Sequence, residues 1–302
     1  MEQFTLSKIF PTAVREAFAG EAWQEGLEEI RVRVGQPLEF CFDSGIRYLV
    51  PDFRMHMTDI AEMLNYISDY SLYAYREELR QGYITIEGGH RVGLAGGTVL
   101  EHGKLAGIRH VSFLNVRVAH ERKGCAKKAL PYLRSRNSIY NTLFLSEPGA
   151  GKTTMLRDCI RLLSRGDDEY PGIKVCVVDE RSEIAACHLG MPQNDLGPRT
   201  DVLDGCGKKE GMLMLLRSMS PQILAVDELG DERDFQAVEQ ALYSGCRVLG
   251  TVHAGNIRDL SAKPCLRRLT ERKLFGRYVR IERREDGGRA IQIYDGSMEK
   301  IG

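Results

Sequence analysis

The chain has no surplus of charge of either sign: 42 Lys and Arg stand against 42 Asp and Glu in 302 residues. Bulk attraction to nucleic acid or to an anionic membrane is therefore not implied, and any such contact must come from a local patch. No basic stripe studded with aromatics is present, which argues against a platform for single-stranded nucleic acid. Charge-free runs stop at about ten residues, far below the ~20 that span a bilayer. The opening MEQFTLSKIF lacks the charged-then-apolar layout of a signal peptide, so a membrane role is expected to be peripheral. The eight cysteines are scattered singly, with no C-x-x-C and no histidine at metal-ligand spacing. A disulfide framework and a zinc site are excluded, and a reduced, cytoplasmic compartment is the simple reading. Cys159, Cys176 and Cys246 fall on apolar faces and are expected to pack as small hydrophobes. Internal repeats and low-complexity tracts are also missing.

What is present centres on NTLFLSEPGAGKTTMLR, residues 141–157. A short apolar run, 142–145, reads as a buried strand, and a helix-forming segment begins at Lys152. Between them lies a loop with Pro148, Gly149, Ala150 and Gly151, followed by Lys152, Thr153 and Thr154. This is the strand, phosphate loop and helix of a P-loop nucleotide site. Glycines let the backbone close around phosphate oxygens, and the helix N-terminus adds its positive dipole end. Lys152 can reach the β- and γ-phosphates, and the Thr153 hydroxyl can sit on Mg²⁺. Ser146 stands where the motif has glycine. No guanine-reading N/T-K-x-D motif is found, so ATP is the expected nucleotide.

Residues 1–120 have a different texture and read as a smaller N-terminal α+β domain. A helix is expected over 4–19, interrupted near Pro11. Strands are expected at 28–34, 38–42, 83–87, 90–96 and 108–118, with helices over 59–67, capped by Thr58, and over 72–80. Arg31, Arg33, Arg91, Arg109 and Arg117 lie on these strands. Each is most simply a solvated strand residue; Arg109 and Arg117 are the choices for arginines that project onto nucleotide. Residues 121–137 form a basic connecting segment, with a solvated linker the ordinary reading and a lipid or acidic partner the sharper one.

Residues 138–302 alternate apolar strands and helical stretches, the pattern of a parallel α/β sheet. Strand 173–178 ends in Asp179–Glu180–Arg181, and strand 222–226 ends in Asp227–Glu228. A loop is expected through 197–204. Bound Mg²⁺ needs a carboxylate beside the phosphate loop, and a neighbouring carboxylate can activate the attacking water. Asp227 is assigned to the metal and Glu228 to water activation. Asp179, Glu180 and Glu183 form a rival cluster that either completes the metal site or pairs with Arg181. His253, ending strand 246–252, is a candidate reporter of the γ-phosphate; a packing histidine is the alternative. A basic amphipathic helix over 262–275 precedes strands 277–284 and 289–294, joined by the hairpin signal Asp286–Gly287–Gly288.

Together, EEIRVRVGQPL (28–38), SEPGAGKTTMLRD (146–158), VVDERSEIA (177–185), GPRTDVLDGCGKKEGM (197–212), RSMSPQILAVDELG (217–230) and GTVHAGN (250–256) resemble the stage III sporulation protein AA family of endospore-forming bacteria. That family in turn resembles the ATPases of type II and type IV secretion systems. The resemblance implies a RecA/AAA-type P-loop core with an N-terminal domain, a hexameric ring, and ATP hydrolysis with Mg²⁺ at subunit interfaces. It implies a place in the mother-cell cytoplasm, peripheral to the membrane facing the forespore, with membrane proteins of the sporulation channel as partners. VVDERSE occupies the slot of the acidic box of secretion ATPases, which makes Glu180 or Glu183 a catalytic candidate beside Glu228. TVHAG at 251–255 partly matches their histidine box, which carries His253 over. A nucleotide-gated scaffold with little turnover and a RecA-type nucleic-acid ATPase are the competing readings.

Overall fold

The computed structural model describes residues 6–17, 26–48, 51–71, 75, 78–79, 82–135, 138–262, 264–284 and 288–302. The chain forms two compact units, Met1–His120 and Glu121–Gly302.

The first unit carries a six-stranded sheet of β1 (Leu27–Arg33), β2 (Glu39–Phe42), β3 (Gly45–Arg47), β4 (Tyr83–Thr85), β5 (Arg91–Glu101) and β6 (Lys104–Arg117). Its order is β3-β2-β1-β6-β5-β4, and every pairing is antiparallel. In β1 the residues Leu27, Ile30 and Val32 are buried while Glu28 and Arg31 are exposed, as expected of a sheet with one face covered. The cover includes a helix, α2 (Met57–Ile67), whose Ile60, Met63, Leu64 and Ile67 form one apolar stripe at helical spacing. Before the sheet, a 3₁₀ turn (Leu6–Ile9) and α1 (Thr12–Ala17) are separated at Pro11, as the sequence predicts. Other expectations shift. Helix α2 begins one residue before Thr58; His56 precedes it and donates its N–H to the Asp59 carboxylate at 2.6 Å. The strands expected at 90–96 and 108–118 are arms of one long hairpin: Gly93 and Gly97 lie inside the ladder, and the chain turns at His102–Gly103. Gly96 sits at a register shift, where a Cβ would come within 2.6 Å of the His110 carbonyl oxygen. The helix expected over 72–80 lies mostly outside the described residues.

The second unit is built on β9 (Thr142–Ser146), β10 (Val175–Asp179), β11 (Thr200–Asp204), β12 (Ile223–Val226), β13 (Arg247–His253), β14 (Arg277–Arg283) and β15 (Arg289–Asp295). A small ladder of β7 (Arg134–Ser135) and β8 (Ser138–Ile139) precedes them. The sheet order is β11-β10-β12-β13-β9-β14-β15, parallel throughout except for the terminal β14–β15 hairpin. Every residue of β9, β10 and β12 is buried, the mark of strands covered on both faces. Alternate residues feed two cores. Leu143 and Leu145 join one with Met212, Phe235 and Leu269, from α5 (Lys208–Ser218), α6 (Glu232–Tyr243) and α8 (Pro264–Glu271). Phe144 joins the other with Met155, Leu156 and Ile160 from α4 (Lys152–Arg165).

Three differences from the sequence reading appear here. The stretch 197–204 ends in β11, an edge strand whose polar pattern TDVLD hides it. The segment from Glu121 belongs to the second unit: Ala126, Leu130 and Leu133 of its short helix α3 (Leu130–Leu133) and approach are core residues. The helix expected over 262–275 starts earlier and ends earlier: it forms α7 (Asp259–Ala262) and α8 (Pro264–Glu271), with Lys263 outside the described residues. Residues 285–287 of the hairpin turn lie outside the described residues, but the flanking strands pair as expected, Arg283 opposite Arg289.

Candidate functional site

Parallel register brings four strand ends to one edge. His253 pairs with Ser146, Val226 with Gly250, and Val178 with Val226. The residues that follow or close β9, β12, β13 and β10 therefore meet beside the N-terminus of α4, where open α/β sheets bind ligands.

Ser146 ends β9 fully buried, and its hydroxyl donates to the Glu147 carbonyl at 2.7 Å. Positive φ is confined in this loop to Gly149 (74°) and Gly151 (104°), so a serine at the first motif position meets no backbone conflict. Gly151 is the left-handed N-cap of α4. Pro148, Gly149 and Ala150 line a cleft of about 620 Å³ with Glu147, Gly255 and Arg280. Thr154 lies in the first turn of α4, where its carbonyl accepts from Cys125 Sγ at 3.6 Å.

Lys152 is only 6% exposed. Burial lowers its pKa, opposed by the charges of Asp227, Glu228 and Glu183. Its Nζ lies 3.1 Å from His253 Nδ1, and His253 Nε2 lies 2.8 Å from Glu228 Oε1. A neutral imidazole protonated on Nε2 satisfies both contacts: it accepts from the lysine and donates to the glutamate. Arg181 Nη1 holds the other Glu228 oxygen at 2.9 Å. Burial pushes the Glu228 pKa up, but the His253 hydrogen bond and the Arg181 charge outweigh it and hold the group below its ordinary value.

Thr153 Oγ1 donates to Asp227 Oδ2 at 2.7 Å, while Asp227 Oδ1 accepts from the Thr251 hydroxyl and, at 3.0 Å, from the Glu228 N–H. The same Glu228 N–H reaches Thr251 Oγ1 at 2.9 Å. These bonds hold Glu228 in a left-handed conformation, φ 49°, unusual for a non-glycine residue. Thr153 and Asp227 thus converge as the P-loop pattern requires of a hydroxyl and a carboxylate sharing a cation. Among the described residues no group of three His, Cys, Asp or Glu side chains could hold a metal alone. A Mg²⁺ ion here fits the set only if phosphate oxygens and water complete its shell.

The two acidic clusters are not rivals in space. Asp179, Glu180, Glu183, Asp227 and Glu228 line one small cleft together with Arg181 and Lys208. Their settings differ. Asp179 is buried and accepts backbone N–H bonds from Glu183, Ile184 and Ala185 at 2.8, 2.9 and 2.7 Å. Burial still raises its pKa to about 6. It shapes the loop that follows β10. Glu180 pairs with Lys208 at 2.5 Å, and Arg181 pairs with Glu228 across the two acidic stretches. Arg109 and Arg117 lie on β6 of the first unit, opposite Gly97 and Arg91; the second unit assembles its cluster without them.

The profile of the family described as "Sporulation stage III, protein AA" matches residues 2–301. The chain belongs to this family. Stage III sporulation protein AA of Bacillus subtilis is 41% identical over 96% of this chain and 94% of its own length. Two solved structures share the fold of this sporulation protein. The pilus retraction motor PilT, solved with bound ADP, superposes with a TM-score of 0.64 at 14% identity, covering 99% of this chain and 83% of its own. The Legionella pneumophila ATPase DotB gives 0.58 at 16%, covering 98% and 83%. The family member is therefore a mixed α/β protein that shares the fold of the pilus retraction motor PilT and the ATPase DotB.

Sequence reasoning left Lys208 without a role, although it lies in the quoted stretch GPRTDVLDGCGKKEGM. Its partner Glu180 is 28 residues away, so no local spacing reveals the pair. Thr251 lies two residues before His253 in GTVHAGN; the structure gives its hydroxyl to Asp227.

Proposed function

We propose that this sporulation stage III protein is an Mg²⁺-dependent ATPase that works as a secretion-type motor, as a hexamer, on the channel between mother cell and forespore. It would stand in the mother-cell cytoplasm, held to the membrane through protein partners. The observation that carries this reading is the 2.7 Å contact of Thr153 with Asp227 beside the buried Lys152. In it, the phosphate loop and Lys152 hold the triphosphate, and Thr153 with Asp227 would hold the cation, which neutralises charge on the phosphates. Glu228 orients and deprotonates the attacking water. His253 bridges Lys152 and Glu228, so it feels whether a γ-phosphate has drawn the lysine away. Glu180 and Glu183 face the same small cleft and are secondary candidates for water activation; Arg109 and Arg117 remain the candidates from the first unit for nucleotide contact.

The test is ATP turnover by the purified chain with Mg²⁺, with and without its membrane partners, against Lys152→Ala. Turnover no higher than in that variant removes the enzyme reading. One observation favours a second reading, a nucleotide-gated scaffold: both Glu228 oxygens are engaged, by Arg181 and His253. ATP affinity and turnover measured on one preparation separate the two, since tight binding with negligible turnover selects the scaffold.

A further inference from the structure

The phosphate loop has a neighbour that no motif announces. A Cβ placed on Gly151 would lie 2.7 Å from Cζ and Nε of Arg289 and 2.9 Å from its Nη2. The guanidinium of Arg289, at the start of β15, therefore covers the last glycine of the loop. Its charge also reaches the Cys125 thiol on the α4 side, where it opposes the upward push of burial. Across the hairpin, Arg289 is directly opposite Arg283. Arg283 is exposed and lines the cleft in front of Gly149 and Ala150.

Two features of this arrangement point to an anion. Like charges directly opposite on paired strands repel, and a shared anion turns that cost into a gain. The placement is also one-sided. In the sheet, β13 and β12 lie on one flank of β9 and bring His253, Asp227 and Glu228, whereas β14 and β15 lie on the other flank. Lys152 reaches toward the first flank through His253; Arg289 covers the loop from the second.

We infer that Arg289 binds the phosphate chain of a nucleoside di- or triphosphate from the flank opposite the acidic residues, at the phosphates that ADP and ATP share, with Arg283 beside it. The inference rests on the nucleotide-binding reading above. The planar fork of an arginine suits a phosphate bidentately, and Gly151, which its φ of 104° already favours as glycine, leaves open the space the guanidinium fills.

The experiment is calorimetric titration of the full chain with ADP and with a non-hydrolysable ATP analogue, for wild type, Arg289→Ala, Arg289→Lys and Lys152→Ala. Arg289→Ala is expected to weaken both ligands by roughly tenfold, and Arg289→Lys to restore only part of that. Without nucleotide, Arg289→Ala is expected to melt no lower than wild type, while its ligand-induced rise in melting temperature shrinks. Unchanged affinities in Arg289→Ala, with binding lost in Lys152→Ala, overturn the inference and leave the nucleotide reading standing. Loss of the ATP analogue alone, with ADP unaffected, also overturns it. A wild-type chain that binds neither nucleotide sinks the nucleotide reading and this inference with it.

Discussion

Strand β1 of the first unit alternates, with Ile30 and Val32 buried and Glu28 and Arg31 exposed, whereas β9, β10 and β12 of the second are buried at every position. The contrast follows from pairing. Antiparallel hairpins leave one sheet face to water, so polar residues appear all along a strand and a functional arginine looks like any other. A parallel sheet sealed on both faces tolerates polar side chains mainly where its strands end. Asp179, Asp227 and His253 are legible as a site because the sheet has so few other places to put them.

The sharpest way to break this contrast is to remove chemistry from one strand end. Glu228→Gln is expected to lower ATP turnover by ~10²–10⁴-fold while leaving nucleotide affinity near wild type. A steady-state assay that finds turnover intact would return Glu228 to the surface polar residues and promote Glu180 or Glu183. Next come the cores. Phe144 and Phe40 are both fully buried, so truncation of either to alanine costs about 3–5 kcal/mol. Phe144→Ala should weaken ADP binding, because Phe144 lies two residues before the phosphate loop and packs on the core of α4. Phe40→Ala should leave ADP binding by the second unit in place. Equal damage from both, measured by calorimetry, would mean the units do not act separately in nucleotide binding.

Acidification should pull the two units in opposite directions. His90 is half-buried and accepts the Ala119 N–H at 3.0 Å; this partial burial, then the nearby His120, lowers its pKa from 6.5 to about 4. Its contribution is complete above 6.5 and is lost as pH falls toward 4, on the order of 2 kcal/mol. Asp179 has the reverse sign: burial raises its pKa from 3.8 to about 6, so its protonated form favours the fold and the second unit gains over the same fall in pH. Hydrogen exchange on β5 and β10, corrected for intrinsic rates, should show protection falling in the first and not in the second. His90→Asn should flatten the response of β5. The smallest effect expected is at the α6 cap. Asp231 accepts from the N–H groups of Arg233 and Asp234 at 2.8 and 2.9 Å, and Asp231→Ala should cost about 1 kcal/mol, visible as a lower melting midpoint of the second unit alone.

The fold of the second unit was largely readable because apolar runs such as TLFLS and ILAV have no other stable home than a doubly covered sheet. The edge strand β11 escaped because its exposed polar residues look like a loop. In the first unit Gly93, Gly96 and Gly97 lie within β5, and the turn follows Glu101. Within the site, the sequence favours Asp227 for the metal and leaves Asp179 in a rival cluster. Only the path of residues 183–185 back over Asp179 gives its carboxylate three N–H groups, while Asp227 meets the Thr153 hydroxyl.

The order of residues by itself determined that a glycine loop would follow a buried strand and that acidic residues would close two of its neighbours, since local sterics and burial leave those segments little choice. Tertiary structure alone decided which carboxylate meets Thr153, which cations hold Glu180 and Glu228, and that Arg289 returns from the end of the chain to cover Gly151. Those pairings join residues far apart in the chain, and only the parallel register and the packing of the strands set the distances between them.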